Sequence, residues 1–125
     1  MSKILIVEDD RRIATALAIR LKVAGYEVVA AYNASLAVTT AVRQQPDLIL
    51  LDISMPAVNG FTVAEKMQTA IATVGTPIIF IAAGKQSGLG EKAFDLEAAG
   101  FFEKPYQAAE LLSTVRDTLG EPVGC

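Results

Sequence analysis

Glu8, Asp9, Asp52 and Lys104 are the residues whose types and spacing could do chemistry together, because each lies at the end of a short apolar run. The acidic triplet Glu8-Asp9-Asp10 follows the run at 4–7, Asp52 follows 48–51, and Glu103-Lys104-Pro105 follows 100–102. Another run, 78–81, leads into Ala82-Ala83. If these runs are parallel strands, their carboxyl ends meet at one edge of the sheet, which is where open α/β sheets bind ligands. Carboxylates gathered there repel one another by about 4 kcal/mol per pair, taking roughly 4 Å and an effective dielectric near 20. A hard divalent cation offsets that repulsion. Mg²⁺ suits the set, since it takes one or two carboxylates, keeps several waters and completes its octahedron on phosphate oxygen. Lys104 adds a point charge for a phosphoryl oxygen.

Taken singly, each acid also fits a helix cap or a strand end, and Asp10 reads as the N-cap of the first helix. Asp52 is harder to assign to such a role. Ser54-Met55-Pro56 and then Asn59-Gly60 follow it, a loop in which proline fixes φ and glycine permits positive φ before the next helix. Such a loop can hold an exposed carboxylate rigidly, and a carboxylate beside Mg²⁺ can attack a phosphoryl group to form an acyl phosphate. Lys104 alone would be a solvated lysine before a turn, but a cis bond to Pro105 could aim it inward.

The elements that must position these residues are legible along the whole chain. Apolar runs at 4–7, 28–32, 48–51, 78–81 and 100–102 alternate with stretches of helical periodicity. All but the last run are nearly continuous in apolar residues, as strands covered on both faces require. Ile13, Leu17 and Leu21 mark one buried helical stripe, and Leu112, Val115 and Leu119 another. Gly25, Pro46 and Gly120 stop the first, second and last helices. The alternation predicts a doubly wound five-stranded parallel sheet with five helices, flavodoxin-like, in strand order 2-1-3-4-5. One domain over 1–119 and a C-terminal tail over 120–125 are expected.

Composition narrows the chemistry further. With 125 residues, 52% of them apolar, the chain can bury a core, and no run is long enough to span a bilayer. The amino terminus lacks the pattern of a signal peptide, so a cytoplasmic location is expected. The net charge of −3 and the absence of a basic run argue against nucleic acid as a partner. Histidine is absent, which removes Ser-His-Asp and Cys-His catalysis and any phosphohistidine made within the chain. The single cysteine, Cys125, cannot staple the fold.

The residues Ile4-Leu5-Ile6-Val7-Glu8-Asp9-Asp10, Asp47 through Pro56, Asn59-Gly60, Gly100-Phe101-Phe102-Glu103-Lys104-Pro105-Tyr106 and Glu110-Leu111 together resemble a known family over nearly the whole chain. The sequence looks like a receiver domain of bacterial two-component response regulators, similar to single-domain chemotaxis and phosphorelay regulators. That resemblance implies a phosphoprotein in which Asp52 accepts the phosphoryl group, Asp9 ligates Mg²⁺ directly, Glu8 ligates it through water and the backbone carbonyl of Ser54 ligates it too. It implies that Lys104 contacts the phosphate and that Phe101 is the switch aromatic. It also implies a histidine kinase or histidine phosphotransferase as donor, met by Arg11, Arg12, Ile13, Ala14 and Pro105. Any signal leaving the domain is expected to pass by protein contact to a downstream target.

Ala82 departs from the family, which has Thr or Ser there to bind the phosphoryl group. A hydrogen bond to a charged group is worth roughly 1.5 to 3 kcal/mol, against about 5.5 kcal/mol to move a population from 1:99 to 99:1. The departure predicts a domain that still accepts phosphate and switches weakly, or else a phosphorylation-independent binding module. Asn59, where the family often has Asp, is a milder difference. A true hydrolase of the haloacid-dehalogenase kind, with Asp-x-Asp after its first strand, fits poorly because that strand ends in Glu-Asp-Asp. The chain therefore reads as a phosphoacceptor regulator and not as an enzyme.

Overall fold

A computed structural model describes residues 1–54, 60–83 and 89–120. Strands and helices alternate as β1 (Lys3–Val7), α1 (Arg11–Val23), β2 (Glu27–Ala31), α2 (Ala34–Gln44), β3 (Leu48–Asp52), α3 (Gly60–Thr69), β4 (Ile78–Ala83), α4 (Leu89–Asp95), β5 (Gly100–Lys104) and α5 (Ala108–Leu119). The strands form one parallel sheet in the order β2-β1-β3-β4-β5, which is the flavodoxin-like arrangement. Strand order reverses between β1 and β3, where Val7 pairs with Leu51. The carboxyl ends of these two strands are therefore side by side.

Period-two alternation divides the core. Leu5, Val7, Ile49, Leu51, Ile78 and Phe80 face α2, α3 and α4, meeting Ala37, Ala41, Phe61, Ala64, Met67 and Ala93. Ile4, Ile6, Leu48, Leu50, Ile79 and Ile81 face α1 and α5, meeting Leu17, Leu21, Leu111 and Val115. β1 and β3 are buried almost throughout, as their apolar runs predict. β2 is not: Glu27 is exposed and Val28 to Ala30 are only partly buried, because this strand is at the sheet edge.

Two helical stripes differ at single positions from those expected. Ile13 is 38% exposed, and α1 buries Ala14 in its place alongside the expected Leu17 and Leu21. In α5 the buried pair is Leu111 and Val115, with Leu112 and Leu119 at its margins. Leu17, Leu21 and Val115 are buried as expected, while Ala14 takes the place of Ile13 and Leu111 that of Leu112. Helix ends follow the chemistry expected of them. The Asp10 carboxylate accepts from the N–H groups of Arg12 and Ile13, capping α1. Gly120 closes α5 at φ 69°, in the left-handed region.

Gly60 serves a purpose other than the positive φ expected of it. A Cβ there would lie 2.6 Å from Ile53 Cα, so the start of α3 can sit against β3's exit only without a side chain. Met55, Pro56 and Asn59, like Cys125 and residues 121–124 of the tail, lie outside the described residues.

Candidate functional site

Strand parity selects the side chains that meet. Glu8 continues the alternation of Ile4 and Ile6, Asp52 that of Leu48 and Leu50, and Lys104 that of Phe102, so all three belong to the face covered by α1 and α5. At the sheet's carboxyl edge the Lys104 ammonium lies 3.0 Å from Glu8 Oε1 and 2.9 Å from Asp52 Oδ2. Glu8 and Asp52 are nearly buried, at 5% and 4% exposure, while Asp9, of opposite parity, is exposed. Ligand oxygens of Glu8, Asp9 and Asp52 all lie within 4.8 Å of one another. The bond between Lys104 and Pro105 is cis.

Among the described residues the electrostatics are lopsided, with the Glu8, Asp9 and Asp52 carboxylates gathered around the Lys104 ammonium. Burial pushes the Glu8 carboxyl up to about 7; hydrogen bonding to Asp52 adds to the rise, against the opposing effects of Lys104 and the Asp10 N–H. Burial pulls Lys104 down, yet its bonds to Asp52 and Glu8 outweigh that and hold it above its ordinary value. Tyr106, whose ring meets Phe102 edge-on at 5.9 Å, is raised by burial. An all-oxygen donor set with excess negative charge fits a hard divalent cation such as Mg²⁺.

Ser54 is closer to this chemistry than its backbone carbonyl alone would indicate. Its N–H donates to Asp52 Oδ1 at 2.7 Å, the Asx turn that an aspartate forms two residues ahead of its donor. Its hydroxyl oxygen accepts from the Ala83 N–H, also at 2.7 Å. That bond stands one rung beyond the last ladder bond between β3 and β4, from Ile53 N–H to the Ile81 carbonyl. The Asx turn is legible in Asp52-Ile53-Ser54; the hydroxyl's reach to β4 has no sequence signal.

Ala82 is fully buried at the end of β4, opposite Glu103 in register and diagonal to Phe101, whose own partner is Phe80. Phe101 is half-buried against the core shared with α2, α3 and α4. Among the expected docking residues, Arg12 and Pro105 are exposed, and Arg11 stacks over Tyr32 with its guanidinium carbon 4.0 Å from the ring centroid. Ala14 must be withdrawn from that surface. At 2% exposure it is part of the α1 stripe packed under the sheet, so it offers a partner nothing.

The fold and the acidic edge define an open, doubly wound α/β protein with a carboxylate-rich edge at its strand ends, and the comparisons specify it. Residues 4–116 match the response regulator receiver domain family, and the chain belongs to it. It is 36% identical to the DNA-binding dual master transcriptional regulator RpaA of Synechocystis over 119 residues, which is 95% of this chain and 49% of that protein. The chain spans about half the length of the curated relatives it matches first, including the phosphate regulon regulatory protein PhoB of Pseudomonas aeruginosa at 33% identity over 93% of this chain and 51% of its own. Among solved structures, chemotaxis protein CheY4 of Vibrio cholerae superposes with a TM-score of 0.86 at 27% identity, covering 94% of this chain and 98% of that one.

Proposed function

We propose that Asp52 accepts a phosphoryl group from the phosphohistidine of a histidine kinase or histidine phosphotransferase, in a Mg²⁺-dependent step of a phosphorelay. The observation that carries this reading is the convergence of Asp52, Glu8 and Asp9 within 4.8 Å, with the Lys104 ammonium 2.9 Å from Asp52. An Asp52 carboxylate oxygen forms the new P–O bond as the P–N bond breaks, and the donor imidazole leaves with the electron pair. Lys104 meets charge on the phosphoryl oxygens. Asp9, Asp52, the Ser54 carbonyl and, through water, Glu8 are the groups to hold Mg²⁺, which when bound neutralises charge on the transferring group. Chemistry at Asp52 is limited to accepting the group and losing it, so the domain acts as a regulator and not as a turnover enzyme.

The signal leaves by protein contact, and nucleic acid is not a direct partner of this domain. Donor docking uses Arg11, Arg12, Ile13 and Pro105. Beside them, a groove of about 260 Å³ between α1 and α5 is lined by Ile13, Leu17, Arg20, Tyr106 and Leu111, giving an apolar floor for a partner helix. Ala82 supports a second reading, a binding module that docks its partner without phosphorylation.

Incubation with Mg²⁺ and acetyl phosphate, followed by intact mass, separates the two. The wild type should gain one phosphate, while Asp52→Asn or added chelator should abolish the gain. Unchanged labelling of Asp52→Asn would remove Asp52 as acceptor, and an unlabelled wild type would favour the binding module.

A further inference from the structure

A phosphoryl group on Asp52 presents three strong acceptor oxygens that need donors. Lys104 supplies one, and the Ser54 N–H already points at the carboxylate, 2.7 Å from Oδ1. β4 has no side-chain donor at its end, because Ala82 and Ala83 carry only methyl groups. Its next backbone donor, the Ala83 N–H, is taken up by Ser54 Oγ at 2.7 Å. A hydroxyl oxygen that accepts one bond keeps its own proton to donate. Only two carbons separate that hydroxyl from the amide bound to Asp52.

We propose that the Ser54 hydroxyl is the phosphoryl-binding hydroxyl of this domain, supplied from the β3 exit in place of the side chain missing at Ala82. The inference rests on Asp52 being the phosphoacceptor. Once Asp52 is modified, the Ser54 O–H turns to a phosphoryl oxygen while Oγ still accepts from Ala83. The result is a relay of two bonds, from the Ala83 N–H to Ser54 and from Ser54 to the phosphoryl group. No covalent bond changes in this relay. A charged acceptor at one end polarises the bond behind it, so the end of β4 feels the state of Asp52 although β4 offers no hydroxyl of its own. The exposed position of Ala83 and the half-buried one of Ser54 leave room for the hydroxyl to turn.

The test uses beryllofluoride, a stable mimic of the aspartyl phosphate, titrated into the Mg²⁺-saturated protein while amide resonances are followed. Ser54→Ala should weaken apparent beryllofluoride affinity on the order of tenfold, the effect of losing one bond to a charged group. The Ala83 amide should shift on binding in the wild type and stay nearly still in Ser54→Ala. Ser54→Thr against Ser54→Val, equal in shape and differing in the hydroxyl, guards against a packing artefact: Thr should retain affinity and Val should lose it. Adding Ala82→Thr to Ser54→Ala should restore affinity by returning a hydroxyl to β4. Equal affinity of the folded Thr and Val proteins would overturn the assignment of Ser54 while leaving Asp52 as acceptor. Failure of acetyl phosphate to label the wild type would overturn both.

Discussion

At the scale of single residues, the charges at the sheet edge divide unequally between exposed and buried carboxylates. Asp9 is exposed and free to ligate a metal directly, whereas Glu8 is buried against Lys104, an arrangement suited to contact through water. Following amide shifts through a Mg²⁺ titration, Asp9→Ala should bind much more weakly than Glu8→Ala, because a direct ligand contributes more than one acting through solvent. Equal losses would contradict that division. The grouping of Glu8, Asp52 and Lys104 was legible because each ends an apolar run, and the carboxyl ends of parallel strands meet at one edge. The role of the Ser54 side chain was not. It depends on where a turn carries one hydroxyl relative to the neighbouring strand, which no residue pattern encodes. Gly60 was legible as a necessary glycine but for the wrong reason, since its constraint comes from Ile53 across the loop.

At the scale of elements, every strand and helix was foreseeable, and the first buried residue of α1 was not. The expected stripe favoured Ile13 for its size, yet the buried position is the small Ala14. A small residue lets α1 lie close to the sheet, and periodicity counted on large residues overlooks it. Burial of Ala14 turns Ile13 outward into the groove between α1 and α5, the docking surface proposed above. Ile13→Glu should leave labelling by acetyl phosphate unchanged while slowing transfer from a phosphorylated histidine donor at least several-fold, since a charge placed on the apolar floor opposes docking of an apolar helix face. The two rates, measured by intact mass on the same protein, separate docking from chemistry. Equal slowing in both assays would show that Ile13 acts on the acceptor site itself.

At the scale of the whole molecule, the acidic edge sets function against stability. The folded-state pKa of Glu8, about 7, stands above its ordinary 4.5, so between those values the folded protein holds a proton that the unfolded chain has released. Stability contributed at this site is therefore present at low pH and falls as pH rises from about 4.5 through 7. In buffer containing chelator, thermal denaturation should show Glu8→Gln melting above the wild type at pH 8, where the wild-type carboxylate is ionised and buried beside Asp52. The gap should close near pH 5.5, where the folded wild type keeps its proton. Mg²⁺ should act in the opposite direction. A cation that binds only the folded state adds about 2.7 kcal/mol at one hundred times its dissociation constant, so the wild type should gain in melting temperature at pH 8, and Asp9→Ala should gain far less. A wild type that melts at the same temperature from pH 5.5 to pH 8 without metal would show that Lys104 alone neutralises the edge. The domain would then need no cation to relieve its repulsion, and Mg²⁺ would serve the transferring group alone.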